Sequence, residues 1–416
     1  MGRILFLFHP KSRKRGREIF MLKKFLSIFS SYPAWVVGGA VRDFLLGKSP
    51  KDIDIVVQAS KDALEQLGGI PVNPQTGIPV YVFKFENFHV EVALPRREKK
   101  IGVGYKGFKF ETGPDVPLEE DLSRRDFTIN AMAMDANGKI VDPFGGVEDL
   151  QRGILRAVNP EAFKDDPLRV IRAARFAARG FEIEGETLKL MQAVPENEFK
   201  ALPIERFTNE LLKALSEPNF EKFLRVLGMI PKACEVFFPE LLQAQEVPAG
   251  PKEYHPEGSL FNHIVQTVAR CTTIEGRFAA LMHDMGKLLT PKELWPKHHG
   301  HDSLGEPLVR GLCQRLKVPA RLRDTAVLVT AEHMKVSNLR DSKLLQLAER
   351  ALRMRAHEAL IECVQADQGM EATQRFEKAL RVVSIPAREL GVLLDGNPQA
   401  IKSRILQRRI QLLRQE

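Results

Sequence analysis

Two aspartates within residues 36–57, VVGGAVRDFLLGKSPKDIDIVV, have a spacing that suits cation binding. Side chains of a strand alternate between its faces, so Asp52 and Asp54 are expected on one face, with Ile53 and Ile55 toward the core. Paired carboxylates repel each other unless a cation neutralises them, and Mg²⁺ prefers such oxygen ligands. A solvated strand end would have the same spacing, so the pair needs supporting motifs.

A glycine pair precedes these aspartates. Gly38 and Gly39 would let the backbone turn sharply and approach a ligand closely. A phosphate could then lie against the glycine amides and the start of the next helix, with Arg42 adding charge. The plainer alternative is a tight connection between a strand and a helix.

Charged residues also recur in SRRDF (123–127) and DDPLRVIRAARFAARGF (165–181). Asp166 and Arg169 are three residues apart in a predicted helix and would share one face, with Arg172 one step further along it. A carboxylate can accept from the amino group of C or A while a guanidinium donates to ring acceptors. Alternatively, Asp165 and Asp166 cap the helix, and the Arg-Arg-Asp run is a surface charge cluster.

Most of the histidines follow residue 250. Imidazole and carboxylate groups together suit divalent transition metals, although a lone buried histidine is usually a core residue. The candidates are His263, His283, Asp284, His301, His333 and Asp367. The sequence does not decide which of His298, His299, His301 and His333 would complete a site.

The elements that must position these residues fall into two classes. Short apolar segments between Trp35 and about Asp142 predict strands of a mixed α/β domain: AWVVGG, DIDIVV, VYVFKF, FHVEVAL and GKIVDPFGG. From about Pro160 the apolar spacing becomes helical. Residues 245–259 are rich in Pro and Gly and predict a linker, and residues 402–416 predict a basic amphipathic helix.

Composition limits the class of protein. The 416 residues suggest roughly two to four domains, and 44% hydrophobic with 28% charged residues is typical of soluble globular proteins. The four cysteines form no C-x-x-C pair, which favours a reducing compartment, and we expect the cytoplasm. No apolar run is long enough to cross a bilayer, so no membrane partner is expected.

The net charge of +9 comes mainly from the first 30 residues, which hold eight basic residues and one acid, Glu18. A nucleic-acid partner would therefore have to be bound by local patches. The segment lacks a continuous apolar core, which argues against a secretory signal. A disordered basic arm, or a true start at Met21, is favoured over a targeting peptide.

Taken together, GG-x-x-R-D, a short helix and D-x-D resemble the nucleotidyltransferase signature of the DNA polymerase β superfamily. With DLSRRDFTINAMAMD and DDPLRVIRAARFAARGF, the chain resembles the bacterial class II CCA tRNA nucleotidyltransferase and poly(A) polymerase family from about Trp35 to Ala214. The later FAALMHDMGK and ELWPKHHGH resemble the HD domain attached to multifunctional CCA proteins.

The resemblance implies a polymerase β-like α/β head with a mixed sheet, an all-α neck and body, and an all-α HD domain. It suggests these segments: 1–31 N-terminal extension, 32–157 catalytic head, 158–244 neck and body with the nucleobase-recognition helix, 245–259 linker, 260–375 HD domain, 376–416 helical tail.

The resemblance also implies roles for single residues in the head. Asp52 and Asp54 would be catalytic and bind two Mg²⁺ ions. The nucleotide would be bound by Gly39, Arg42, Arg125 (triphosphate), Asp126 (ribose), Asp166, Arg169 and Arg172 (base). Glu91 is a candidate third carboxylate, although a solvent-facing glutamate is the plainer interpretation. The family pattern Glu-Asp-x-x-Arg has Asp165 in place of its glutamate.

The implied activity is template-independent addition of CCA to tRNA 3′ ends from CTP and ATP, by a monomer or homodimer. Alternatives are a CC- or A-adding enzyme, a poly(A) polymerase, or a catalytically decayed RNA-binding protein. The basic, glycine-rich segment 96–110 resembles the flexible loop that switches C to A addition, and could also be a simple lid. The helix 204–215 resembles the neck helix, where Glu205, Arg206 and Glu210 are interpreted as structural.

In the HD domain, the resemblance implies a site for one or two divalent metals. Its ligands would be His263, His283, Asp284 and Asp367, and the metal a transition metal such as Ni²⁺ or Mn²⁺. The implied substrates are phosphomonoesters and 2′,3′-cyclic phosphates. The alternative is a helical scaffold for tRNA or a dimer contact.

Overall fold

The computed structural model describes residues 23–50, 52–72, 79–85, 88–100, 102, 108–393 and 395–415. It divides into two compact units: the residues up to Ala173 with Phe181–Leu202, and Ala174–Gly180 with Pro203 onward. No helix among the described residues is long and apolar enough to span a membrane.

The first unit is built on a seven-stranded sheet. The strands of the described residues are β1 Ala34–Val37, β2 Asp54–Val57, β3 Ile70–Val72, β4 Val80–Phe85, β5 Phe88–Ala93, β6 Arg96–Lys100, β7 Phe108–Thr112, β8 Ala133–Met134, β9 Ile140–Val141, β10 Ile154–Leu155 and β11 Glu182–Ile183. The sheet has the order β3-β4-β5-β2-β1-β8-β9. The pair β2–β5 is parallel and the other pairs are antiparallel, which confirms the predicted mixed sheet.

Burial explains why the sequences of the central strands are continuously apolar. Val36 and Val37 of β1 and Ile55 to Val57 of β2 are all buried, because both faces of the middle of the sheet are covered. Val37 and Val56 belong to one core cluster with Leu122 and Ala133. Ile53, expected in the core, lies just before β2 and is only partly buried.

The segment just before the sheet packs into the head. Phe25 and Phe29 are buried and contact Phe83 edge-on, with ring centroids 6.4 and 5.1 Å away. The predicted boundary at residue 32 places these aromatic residues in the extension, but the head's core begins before it. Residues 1–22 lie outside the described residues.

Segment 96–110 is not simply a loop. The strands β6 and β7 pair antiparallel as a separate two-stranded sheet. Residues 101 and 103–107, which carry most of the glycines of the predicted flexible loop, lie outside the described residues.

The helices follow the predicted spacing, and the helical character of the chain after the head is confirmed. Helices of the first unit are Gly39–Leu45, Lys61–Gln66, Leu118–Ser123, Gly146–Arg152, Ala162–Asp165, Gly185–Ala193 and Glu196–Lys200. The Leu168–Arg179 helix contributes residues to both units.

The second unit is otherwise all-helical. Its helices are Ile204–Leu215, Phe220–Gly228, Pro231–Phe237, Pro239–Glu246, Leu260–Arg270, Ile274–Met282, His301–Arg315, Ala320–Glu332, Asp341–Met354, His357–Gln368, Gln374–Val383 and Pro398–Arg414. The last confirms the predicted C-terminal helix and starts four residues earlier than expected. Short 3₁₀ turns include Met285–Leu289.

The predicted linker 245–259 is part of this packing. Pro248 pairs with Ser259 in an isolated bridge, and Ala249 is fully buried. The carbonyl of Ala249 accepts from Lys287 Nζ at 2.7 Å, and that of Pro248 accepts from His298 Nε2 at 2.8 Å. Buried backbone groups need such partners, so the segment is a fixed element of the unit and the linker interpretation is wrong.

Candidate functional site

Three carboxylates meet where β2 begins. Asp54 is the first residue of β2, Asp52 lies two residues before it, and Glu91 is directly opposite Asp54 on the parallel strand β5. Residues in register on neighbouring strands point to the same face, and all three residues are exposed. The structure thus brings the candidate third carboxylate beside the predicted pair.

The electrostatics of this corner favour a cation. Displacement of water by the surrounding protein raises the pKa of Asp54, the charge of Arg125 lowers it, and the neighbouring Asp52 raises it. An oxygen-rich donor set with like charges close together fits a hard divalent ion such as Mg²⁺.

Arg125 lies over the glycine turn. Gly38 has φ +70°, and a Cβ added there would be 2.6 Å from Nη1 of Arg125. The guanidinium is held by Asp121, whose Oδ2 accepts from Nη2 at 3.2 Å. Burial acts to raise the pKa of Asp121, but Arg124 and Arg125 hold it below its usual range. The Nε of Arg125 is buried without a hydrogen-bond partner among the described residues.

Arg42 is buried beneath the same turn. Its Nη1 donates to Asn130 Oδ1 at 2.6 Å, and its Nε and Nη2 donate to Asp43 Oδ1 at 3.0 and 2.8 Å. A Cβ on Gly39 would lie 3.4 Å from Arg42 Nη2. Arg42 therefore supports the turn from within, whatever charge it also offers to a ligand.

Asp126 and Arg172 bind each other. Oδ2 of Asp126 accepts from Nε and Nη2 of Arg172 at 2.9 and 2.7 Å, while Oδ1 accepts from Asn130 Nδ2 at 2.9 Å. Burial acts to raise the pKa of Asp126, but Arg172 and Asn130 overcome it and lower the pKa to about 2. Both predicted nucleotide contacts are thus engaged with each other in this structure.

The expectation that Asp166 and Arg169 share a helical face is wrong. Asp166 has extended backbone angles, φ −138° and ψ 104°, and the helix begins only at Leu168. A residue before proline avoids helical angles, and Pro167 follows Asp166. Oδ1 of Asp166 accepts from the backbone N–H of Leu168 at 3.0 Å, as in the capping alternative.

Arg169 instead binds backbone carbonyls. Its Nη2 donates to the carbonyl of Arg124 at 2.5 Å, and Nη1 donates to those of Arg125 and Ala162 at 3.2 and 3.1 Å. These bonds fix the backbone of the SRRDF motif, so Arg169 positions Arg125 in this structure.

In the neck helix, Glu210 is buried and its Oε2 accepts from Arg175 Nε at 2.5 Å. Glu217 pairs with Arg179 at 2.7 Å. These pairs lie within the second unit and agree with a structural interpretation of Glu210.

The second unit gathers the four predicted metal ligands. His263 is in the Leu260–Arg270 helix, His283 and Asp284 directly follow the Ile274–Met282 helix, and Asp367 is in the His357–Gln368 helix. His263 Nε2 is 3.3 Å from Asp284 Oδ2 and 3.1 Å from Asp367 Oδ1. His283 Nε2 is 3.4 Å from Asp284 Oδ2.

The orientation of these imidazoles is fixed from outside the cluster. His263 Nδ1 donates to Glu257 at 2.9 Å, and His283 Nδ1 donates to the Ala280 carbonyl at 2.8 Å. Such bonds set the tautomer and leave the Nε2 lone pair for a ligand. Nε2 of both histidines is buried and makes no hydrogen bond within the described part of the chain.

The charges of the histidine–aspartate cluster favour a bound cation. Burial acts to lower the pKa of His263, but Asp284 and Asp367 outweigh it and raise the pKa to about 10. Orphaned nitrogens, two carboxylates and burial fit a divalent transition metal.

The structure also sorts the remaining histidines. His301 and His333 lie 3.1 and 3.4 Å from Asp284 Oδ1 through their Nε2 atoms. His298 is buried but bonded at both nitrogens, to Thr290 and Pro248, and His299 is exposed.

Two residues of the histidine cluster were not predicted from the sequence. Lys287 Nζ lies 2.6 Å from Asp284 Oδ2, and Glu257 joins His255 and His263. The i,i+3 spacing of Asp284 and Lys287 was a signal for the first; nothing in the sequence pointed to Glu257.

Comparison with known proteins identifies the two domains that contain these sites. A family model described as the Poly A polymerase head domain matches residues 34–156, and the HD domain model matches residues 261–366. The HD match ends one residue before Asp367.

Multifunctional CCA proteins of two Neisseria gonorrhoeae strains are 44% identical to this chain over 349 residues, covering 80% of the chain and 83% of each relative. A crystal structure of the Bacillus stearothermophilus CCA-adding enzyme in complex with CTP is similar with a TM-score of 0.63 at 22% identity, over 97% of this chain and 93% of that one. The Thermotoga maritima CCA-adding enzyme complexed with tRNA gives a TM-score of 0.62 at 21% identity, over 97% and 92%. These structures show the same fold. By its identity to these relatives and its two matched domains, the chain belongs to the multifunctional CCA protein family of nucleotidyltransferases.

Proposed function

We propose that the head adds CCA to the 3′ end of tRNA without a template, using CTP and ATP. The observation that carries the proposal is the meeting of Asp52, Asp54 and Glu91 at the start of β2. Asp52 and Asp54 would hold Mg²⁺, with Glu91 beside them. When bound, two such ions activate the attacking 3′-hydroxyl and neutralise the leaving pyrophosphate.

Arg125 would bind the triphosphate. Its side chain lies over Gly38, where the backbone leaves room for a ligand, and its charge reaches Asp54. The buried Asp121 and the carbonyl bonds of Arg169 hold it there from two sides. Gly39 and Arg42 would complete the turn that receives the phosphates.

Base selection by Asp166, Arg169 and Arg172, and a ribose contact by Asp126, remain part of the proposal. In this structure Arg169 donates to backbone carbonyls and Arg172 donates to Asp126. Nucleotide binding would have to exchange these bonds for contacts to the base edge.

Replacing Asp54 with Asn tests the nucleotidyl-transfer site. We expect incorporation of both C and A to fall by at least about 100-fold, the size of effect seen when a transition-state contact is lost. Binding of tRNA should persist, and Asp115→Asn, an exposed change in the same unit, should be normal. Near-normal turnover by Asp54→Asn would remove the assignment.

We propose a second activity for the HD domain, the hydrolysis of phosphomonoesters and 2′,3′-cyclic phosphates. The supporting observation is the buried, unbonded Nε2 pair of His263 and His283 beside Asp284 and Asp367. These four would hold a divalent ion such as Ni²⁺ or Mn²⁺. When bound, such an ion lowers the pKa of a water ligand and polarises a phosphoryl oxygen. Lys287, held next to Asp284, adds positive charge for a phosphate.

The double variant His283→Ala, Asp284→Ala tests the second activity. Metal-dependent hydrolysis of a 2′,3′-cyclic nucleotide should disappear, while CCA addition should remain. If the unmodified protein does not hydrolyse the cyclic nucleotide with Ni²⁺, Mn²⁺, Co²⁺ or Mg²⁺, the domain is a scaffold.

A further inference from the structure

A single arginine holds the backbone where the neck helix ends. This helix ends at Leu215, and a short connection, residues 216–219, follows it. Arg277 Nη1 donates to the carbonyls of Leu215 and Glu217 at 2.8 and 2.7 Å, and its Nη2 donates to that of Pro218 at 3.2 Å. The last carbonyls of a helix have no partner within it, and an arginine offers several donors in a rigid fork. One side chain therefore fixes the course of the connection.

Arg277 comes from the HD domain and not from the neck. It lies in the Ile274–Met282 helix, within the residues 261–366 that match the HD domain model. Its Nε donates to the carbonyl of Cys271, just before that helix, at 3.0 Å, so the guanidinium is also oriented from its own side. The HD domain thus supplies the side chain that holds the end of the neck helix.

The same connection is bonded to the last turn of the Leu168–Arg179 helix. Glu217 Oε1 accepts from Nε and Nη2 of Arg179 at 3.0 and 2.7 Å. The side chain of Glu217 is only 14% exposed, so water screens this ion pair weakly. Asn219 donates its backbone N–H to the carbonyl of Ala178 at 3.0 Å. Whatever fixes the connection therefore also fixes the end of this helix.

The other end of this helix carries two arginines of the proposed nucleotide site. Arg169, in the first turn, donates to the carbonyls of Arg124 and Arg125, and Arg172 binds Asp126. The helix is continuous over 12 residues, and its backbone hydrogen bonds make it one stiff element. A displacement of the last turn would therefore displace the first turn as well.

We propose that Arg277 is a positioning residue for nucleotide addition. It holds residues 216–219, these hold the Leu168–Arg179 helix, and Arg169 of that helix holds the backbone of Arg125. This role rests on the proposed function and deepens it, since it makes the HD domain a support of the nucleotide site. It is independent of any metal bound by the histidine cluster.

Arg277→Ala in the full chain tests this role by hydrogen exchange and by kinetics. Amide exchange in peptides covering the Leu168–Arg179 helix, measured by mass spectrometry, should become faster because the last turn loses its support. On a tRNA lacking its three terminal nucleotides, KM for CTP should rise roughly 10-fold, since a misplacement of about 1 Å can cost up to about 100-fold. Arg277→Lys keeps the charge without the fork and should show smaller changes in the same direction.

Arg270→Ala is the matched control. Arg270 also donates to a backbone carbonyl, that of Ala366 at 2.6 Å, but both residues lie within the HD domain. This variant loses the same kind of bond and should leave both the exchange of the Leu168–Arg179 helix and KM for CTP unchanged. Circular dichroism checks the folding of every variant.

Glu217→Gln tests the route from Arg277 to the helix. It removes the charge that binds Arg179 and keeps the carbonyl that Arg277 binds. Because Arg277 and Glu217 act in series, the double variant should change KM for CTP by less than the product of the two single changes. A change equal to that product would overturn the route.

Two further results would contradict the role of Arg277 alone. They are unchanged exchange of the helix in Arg277→Ala, and faster exchange with an unchanged KM for CTP. An unmodified chain that adds no cytidine to the shortened tRNA would instead remove the proposed function, and the role of Arg277 in nucleotide addition with it.

Discussion

At Gly38, both the backbone conformation and a neighbouring side chain require glycine. The residue has φ +70°, and a Cβ would meet Arg125 Nη1 at 2.6 Å. Gly38→Ala should therefore displace Arg125 and raise KM for CTP and ATP roughly 10- to 100-fold, since a charged hydrogen bond contributes about 1.5–3 kcal/mol. Steady-state kinetics would measure this.

Gly68→Ala is the matched control for Gly38. Gly68 also has a positive φ, +92°, but nothing lies within 4 Å of its added Cβ. It should show the backbone strain without the change in KM. Equal KM values in both variants would mean that Arg125 does not bind the triphosphate.

Asp126 should make stability depend on pH. Its pKa is about 2 in the folded chain, against about 3.9 in an unfolded one. The ionised form is thus favoured by folding, and its contribution of about 2–3 kcal/mol is present above pH 4 and is lost as the pH falls through 2. Asp126→Asn should lower the unfolding free energy at pH 7, and the deficit should shrink toward pH 3.

Urea unfolding of Asp126→Asn and of the unmodified chain, measured between pH 7 and pH 3, would show this trend. A deficit that stays constant over the range would mean that the charge of Asp126 is not its source.

Single residues were predictable where chemistry and strand spacing agree. Asp54 begins a buried strand with Asp52 just before it, and the predicted ligands His263, His283, Asp284 and Asp367 converge. Partner choice was not predictable, because Asp126 with Arg172 and Arg169 with the Arg124 carbonyl depend on contacts more than 40 residues apart in sequence.

At the scale of elements, the start of the Leu168–Arg179 helix decides the role of two residues. Asp166 caps the helix and Arg169 holds the backbone of Arg124 and Arg125. If they also read the base, Asp166→Ala and Arg169→Ala should raise incorporation of UTP or GTP relative to CTP and ATP. Competition assays on one tRNA would measure selectivity, and a fall in rate with unchanged selectivity would leave only the positioning roles.

The N-terminal segment should contain a dispensable part and a part that stabilises the head. A chain beginning at Met21 should add CCA normally, because residues 1–20 precede the first predicted strand and their basic composition is typical of a disordered arm. A chain beginning at Ser31 loses the buried Phe25 and Phe29, and each such aromatic contributes about 3–5 kcal/mol. Measurements of thermal unfolding and of CCA addition would distinguish the two shortened chains. If the chain beginning at Met21 folds but loses activity, residues 1–20 bind tRNA.

Longer elements were predictable from periodicity, and shorter ones were not. The strands around Val36 and Ile55 and the helix 204–215 appear where expected. The two-residue strands β8, β10 and β11 carry too few residues for a pattern. The Pro- and Gly-rich segment 245–259 resembled a linker because its fixing contacts, from Lys287 and His298, come from later in the chain.

At the scale of the whole molecule, the carboxylate corner lies in one compact unit and the histidine cluster in the other. The two sites also differ in donor chemistry: oxygen ligands in the first, imidazoles with carboxylates in the second. Changes at His283 and Asp284 should accordingly spare nucleotide addition.

CCA addition is tested most directly with a tRNA that lacks its three terminal nucleotides and is supplied with CTP alone, ATP alone, or both. We predict two added cytidines with CTP alone, no addition with ATP alone, and a completed CCA end with both, each resolved on a sequencing gel. A tail of adenosines from ATP alone, or a product that stops at CC with both nucleotides present, would contradict CCA addition by this chain.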